Sequence, residues 1–204
     1  MIRLKIDEGF WLVTLDRPEK ANSLTGAMLN EIADIAERAR AEEAQVFAIT
    51  GVGKVFSAGA DLDEARAGLA TDRVWERLSG AIAALPCLSI AALNGTLAGG
   101  AMGMALACDL RIAVPGAKVF YPVMKLGFLP QPSDPKRMAK LIGPARTKMI
   151  LMAGQKVPVE EAQAWGLIDR IVAPDQLLES VRDLAGDALG AKATHVAAIK
   201  ALIA

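Results

Sequence analysis

Histidine, tyrosine and cysteine are scarce in this 204-residue chain, which has one His, one Tyr and two Cys. His195 with Cys87 and Cys108 gives no metal-ligand spacing, so neither a dedicated zinc or iron site nor a tightly bound cofactor is expected. Two thiols in apolar runs suit a reducing compartment, and the reading is of a cytoplasmic protein. Net charge is missing too. Twenty-three basic residues balance 23 acidic ones, which leaves no surplus of Lys and Arg for nucleic acid. The opening MIRLKIDEGF alternates like a strand and lacks the apolar core of a signal peptide. One uncharged stretch, Leu78 to Cys108, is long enough to cross a bilayer. Pro86, the turn signal Asn94-Gly95 and the pair Gly99-Gly100 interrupt it, so a buried strand followed by a buried helix is expected, and no membrane partner.

What is present is apolar residue, 53% of the chain, in an order that alternates strand and helix. IRLKI and FWLVTL read as strands paired across Asp7-Glu8-Gly9. Thr25 to Arg40 has helical periodicity with Thr25 as N-cap. QVFAIT (45–50) reads as a strand, Asp72 to Leu85 as a helix, LSIAAL (88–93) as a strand, Ala101 to Ala107 as a helix and LRIAV (110–114) as a strand. After Pro135 the chain reads as mostly helical, broken by a short strand at IDRIV (168–172). The pattern predicts one α/β domain over 1–204, with its core over about 1–190 and a helical part over 174–204.

Glycine is placed just before a predicted helix in two segments, FSAGADL (56–62) and NGTLAGGAMG (94–103). Without a Cβ the backbone can approach a ligand closely. A helix start also leaves N–H groups free. Two such groups aimed at one point make an oxyanion hole for charge developing on a carbonyl oxygen. Each segment alone reads first as a tight strand-to-helix turn, because glycine-rich turns are common. Neither is a P-loop or dinucleotide fingerprint, because the GK[ST] ending and the G-x-G-x-x-G spacing are absent.

Taken in order, the segments LDRPEKANSLT (15–25), FSAGADL, PCLSIAALNGTLAGG (86–100), ACDLRIA (107–113), GFLP (127–130) and EEAQAWGLIDRIV (160–172) resemble the enoyl-CoA hydratase/isomerase (crotonase) superfamily. The resemblance implies a crotonase-like spiral of ββα units, here with a shortened C-terminal helical region, assembled as a homotrimer or dimer of trimers. It implies that the backbone N–H groups of Ala60 and Gly100 form the oxyanion hole for an acyl-CoA thioester. It also implies that Arg17 to Ala21 and Ala58 to Leu62, with Arg17, Ala21, Ala58, Asp61 and Leu62 foremost, line the coenzyme A end of the substrate.

The departures from the family pattern are specific. Hydratases of the family carry one glutamate three residues beyond the second oxyanion glycine, and Gly103 stands there. A second follows the proline before the turn glycine, and Val123 stands there. Hydration needs two proton-transfer groups, so ordinary hydratase activity is not expected. The family's glycine-rich turn is replaced by PQPSDPKRM (130–138), which brings Gln131, Ser133 and Asp134 beside the expected acyl pocket. Asp134 is then the candidate acid or base, and Tyr121, the only tyrosine, a candidate donor. Asp134 followed by Pro135 also reads as the N-cap of a helix running to Leu141. His195 reads as exposed or capping, Lys200 as part of a solvated helix face, and Trp11, Trp75 and Trp165 as core or interface anchors. Two functions fit: a lyase or isomerase acting on a CoA thioester in fatty acid metabolism, or a catalytically silent acyl-CoA-binding subunit or sensor.

Overall fold

The structure is a computed structural model and describes residues 1–203; residue 204, the last of the expected helical part, lies outside them. Among the described residues ten strands form two sheets. The larger runs β1 (Ile2–Asp7), β2 (Phe10–Leu15), β3 (Val46–Gly51), β5 (Leu88–Leu93), β7 (Leu110–Ala113) and β10 (Arg170–Ile171) in that spatial order. Only the β1–β2 hairpin is antiparallel within it. The smaller runs β4 (Val55–Ser57), β6 (Thr96–Ala98), β8 (Lys118–Phe120) and β9 (Val157–Pro158). Each pass of the chain therefore lays one strand in the large sheet, a shorter one in the small sheet, and then a helix. That repeat, β3–β4, β5–β6 and β7–β8, is the ββα spiral. The short strands of the second sheet carry no alternation long enough to be read from sequence.

Among the described residues there are nine α-helices: α1 (Gly26–Ala41), α2 (Leu62–Arg66), α3 (Val74–Ala83), α4 (Met102–Ala107), α5 (Val123–Leu126), α6 (Asp134–Leu151), α7 (Val159–Trp165), α8 (Leu177–Gly190) and α9 (Ala193–Ala201). The expected cap of α1 is present, since Thr25 Oγ1 accepts from the Met28 N–H at 3.2 Å. Its buried stripe, including Met28, Leu29, Ile32 and Ala36, faces the core, each large side chain contributing about 1.5–3 kcal/mol by leaving water. β3 and β5 are buried along nearly their whole length, as expected of parallel strands covered on both faces. Among the described residues no helix is long and apolar enough to cross a membrane.

The helix opened near Pro135 ends where expected, just past Leu141: Gly143 (φ 77°, ψ 164°) breaks it, and Pro144 opens a second helical segment that continues α6 to Leu151. One expectation needs correction, because Lys200 is no solvated side chain. Its Nζ donates to Cys87 O at 2.9 Å and pairs with Asp109 Oδ2 at 2.7 Å, tying α9 to the core.

Candidate active site

The two glycine turns meet. Gly59 has a left-handed φ of 92°, and a Cβ there would stand 3.0 Å from Ala98 O, 3.3 Å from Gly99 Cα and 3.4 Å from Gly100 N. Gly99 (φ 59°) would meet Gly59 Cα at 3.5 Å in return. Backbones this close exclude side chains from both turns. The first turn hangs on the NSLT segment. Leu24 N–H donates to Gly59 O and Leu24 O accepts from Asp61 N–H, each at 2.8 Å. In such a parallel bridge the intervening residue, Ala60, turns its own N–H away from Leu24. Gly100 lies in the helical turn Gly99–Ala101 that opens α4, where the first N–H groups have no partner inside the helix. The Trp75 ring covers this turn, 3.1 Å from where a Gly100 Cβ would be, and its Nε1 donates to Leu69 O at 2.8 Å.

The residues expected at the coenzyme A end sit together beside Ala60. Arg17 Nη1 pairs with Asp61 Oδ2 at 2.8 Å and also reaches Ser23. That guanidinium, foremost, holds the Asp61 carboxyl below its usual range, helped by the Glu64 and Asp63 N–H groups it caps. Ala58 N–H donates to Ala21 O at 3.0 Å. Leu62 is exposed. Asn22 is fully buried and binds the whole arrangement: Nδ2 donates to Val52 O and Val55 O, and Oδ1 accepts from Arg17 N–H.

Gly103 faces Asp134. A Cβ at Gly103 would come within 3.0 Å of Asp134 Oδ1 and 3.4 Å of Oδ2. The carboxyl of α6 thus fills the space a side chain on α4 would take. Asp134 is fully buried. Tyr121, buried as well, donates its phenol to Oδ2 at 3.1 Å and accepts from Gln131 N–H at 3.4 Å. Oδ1 is buried without any hydrogen-bond partner among the described residues. Burial pushes the Asp134 carboxyl up to about 7. The Tyr121 hydrogen bond and the Arg137 charge oppose this, and Glu76 adds to it. The same burial, with Asp134 beside it, drives the Tyr121 phenol upward and keeps it neutral.

Asp134 does not cap α6. The cap position belongs to Ser133, and the Asp134 carboxylate accepts from no backbone N–H of the helix. Ser133 is held instead by Glu76 of α3, whose carboxylate accepts from its N–H at 3.0 Å and from its hydroxyl at 2.6 Å. Gln131 Nε2 reaches Ala70 O at 3.3 Å. Sequence reasoning missed Glu76 and Arg137, because neither lies in a motif and nothing local ties position 76 to position 133. Val123 is buried and has no group to transfer a proton. His195 is exposed and lines a separate cleft of about 990 Å³ beneath α9, with Leu88, Asp109, Ile199 and Lys200. Burial raises the Cys87 thiol to about 11 and the Cys108 thiol to about 12, so neither is poised as a nucleophile.

The enoyl-CoA hydratase/isomerase family model matches residues 5–204. The chain belongs to this family. It is 36% identical over 196 residues to the carnitinyl-CoA dehydratase of Citrobacter koseri, covering 92% of this chain and 74% of that one. It also superposes on an enoyl-CoA hydratase from Bacillus anthracis with a TM-score of 0.90 and 30% identity, covering 99% of this chain and 81% of that one. The enoyl-CoA hydratase/isomerase of Pseudoalteromonas atlantica T6c gives a TM-score of 0.91 at 26% identity, covering 99% and 82%. The two-sheet spiral is therefore the crotonase fold, and the relatives carry names of enzymes that act on CoA thioesters.

Proposed function

We propose that this family member forms the enolate of an acyl-CoA thioester and moves a proton on its acyl chain with Asp134. Coenzyme A enters as part of the substrate, along the edge that carries Arg17, Ala21, Ala58, Asp61 and Leu62. The thioester carbonyl accepts from the Ala60 and Gly100 N–H groups, which stabilise the enolate oxygen as a proton leaves carbon; one such donor contributes about 3 kcal/mol to the transition state. Asp134 takes the proton at one carbon and returns it at another, and the double bond moves. One carboxyl suffices for that shift, whereas hydration calls for two proton-transfer groups.

The observation that carries this reading is the buried Oδ1 of Asp134, unpartnered among the described residues and seated against Gly103 on the turn that follows Gly100. An acid raised to about 7 is available in both protonation states near neutral pH, as a shuttle must be. A silent acyl-CoA-binding subunit would have no use for an unpartnered carboxyl. The reading includes self-association as a homotrimer or a dimer of trimers, supported by exposed Met124, Leu126, Leu129, Ile199, Leu202 and Ile203.

Turnover of a panel of enoyl-CoA esters, with calorimetric binding on the same samples, tests it. Double-bond isomerisation is expected, with weak or no hydration of crotonyl-CoA. Asp134→Asn should retain ester binding and lose about 10²-fold or more in turnover. Binding without turnover of any ester would support the silent subunit, and absence of any CoA-ester binding would remove both.

A further inference from the structure

Glu76 lies outside the sequence motifs quoted above, yet its carboxylate closes on the turn that carries Asp134. It sits in the first turn of α3, half-buried, and both its oxygens are taken by Ser133. Ser133 is the N-cap residue of α6 and makes no cap bond with its own side chain. In a capping box the acceptor for the N-cap N–H comes from the third residue of the same helix. Here it comes from another helix, so α3 and α6 are locked together one residue before Asp134.

We propose that Glu76 is a positioning residue for Asp134: by clamping Ser133 it fixes the neighbouring carboxyl against Gly103, and it sets a like charge beside it. This rests on the reading of Asp134 as the proton carrier. The charged and titratable groups facing Asp134 are Tyr121 from the β8–α5 connection, Arg137 from α6 itself and Glu76 from α3, while α4 offers only Gly103. Glu76 is the one negative charge among them. It favours the protonated form of Asp134, which Arg137 and the Tyr121 hydrogen bond disfavour.

The test pairs Glu76→Gln with Glu76→Ala and reads Asp134 directly. In protein labelled with carboxyl-¹³C aspartate, the Asp134 signal is the one lost in Asp134→Asn, and its midpoint is followed against pH. Glu76→Gln keeps an acceptor for the Ser133 N–H and removes the charge. It should lower the midpoint by about half a pH unit or more and move the acid limb of kcat/KM down with it, while kcat at higher pH stays within a few-fold. Glu76→Ala also frees Ser133 and should lower kcat about tenfold or more with KM little changed. An unmoved ¹³C midpoint in Glu76→Gln, or an unchanged kcat in Glu76→Ala, would overturn the proposal. If Asp134→Asn turns over like the parent, the proton-carrier reading fails instead, and the ¹³C midpoint still decides whether Glu76 acts on Asp134.

Discussion

The Asp134 carboxyl rests on Gly103, with Oδ1 3.0 Å from the point where a Cβ would begin. The bare glycine on α4 is therefore the partner of an acid on α6. A Cβ at 103 has to displace a buried carboxyl or be displaced by it. Gly103→Ala should destabilise the parent although alanine favours a helix by up to about 1 kcal/mol. In an Asp134→Ala background the contact is gone, and the same change should be neutral or stabilising. A double-mutant cycle by thermal or urea unfolding should return a coupling of about 0.5–3 kcal/mol. Additive effects would mean that the two positions do not compete for space.

Asp134 also makes a pH prediction. Its folded-state value is raised to about 7 from about 3.9 in an unfolded chain. The folded state then holds a proton that the unfolded state has released. The stability this provides is fully present below about pH 4 and is lost as pH rises through about 7. Asp134→Asn has no such loss. The gap in unfolding free energy between variant and parent should widen between about pH 4 and 7, reaching a few kcal/mol, and then stay constant. A gap independent of pH would show that Asp134 ionises as it does in the unfolded chain.

How much of this was legible in the sequence depends on whether the signal was local. The long strands and α1 were, because Leu88–Leu93 and the stripe from Met28 to Ala36 declare themselves within one element. The family was legible from the segments around Ala60 and Gly100. β4, β6 and β8, three residues each, are too short for periodicity, and they exist because the spiral stacks them. The N-cap reading of Asp134 failed because Asp-Pro is a local signal, and burial against Gly103 and Tyr121 is not. Glu76 was invisible for the same reason: its partner Ser133 lies 57 positions away.

Two glycines separate the fold's needs from its tolerances. At Gly95 a Cβ would fall 2.0 Å from Lys54 O and 2.6 Å from the Lys54 carbonyl carbon. That is backbone on backbone, and neither side can yield without parting β4 from β6. Gly95→Ala should cost more than about 3 kcal/mol and lower soluble yield. Gly80, inside α3, meets nothing within 4 Å. Gly80→Ala should raise stability by about 0.4–1 kcal/mol. Equal melting temperatures for the two variants would contradict this assignment of space.

Tyr121 provides the opposite lever on Asp134 from Glu76. Its phenol donates to Oδ2 at 3.1 Å and stabilises the ionised carboxyl, while also accepting from Gln131 N–H. Tyr121→Phe keeps the ring and removes both bonds. The carboxyl then faces the same burial with one donor fewer, so its pKa should rise above the parent's value of about 7. The acid limb of kcat/KM should move to higher pH, and turnover at pH 7 should fall because less of the enzyme holds the base form. Folding should lose about 1 kcal/mol for the hydrogen bonds, a modest change that leaves the protein assayable. The direction of the limb decides the matter. A shift to lower pH, or none while turnover falls, would mean that the phenol serves the substrate and not the ionisation of Asp134.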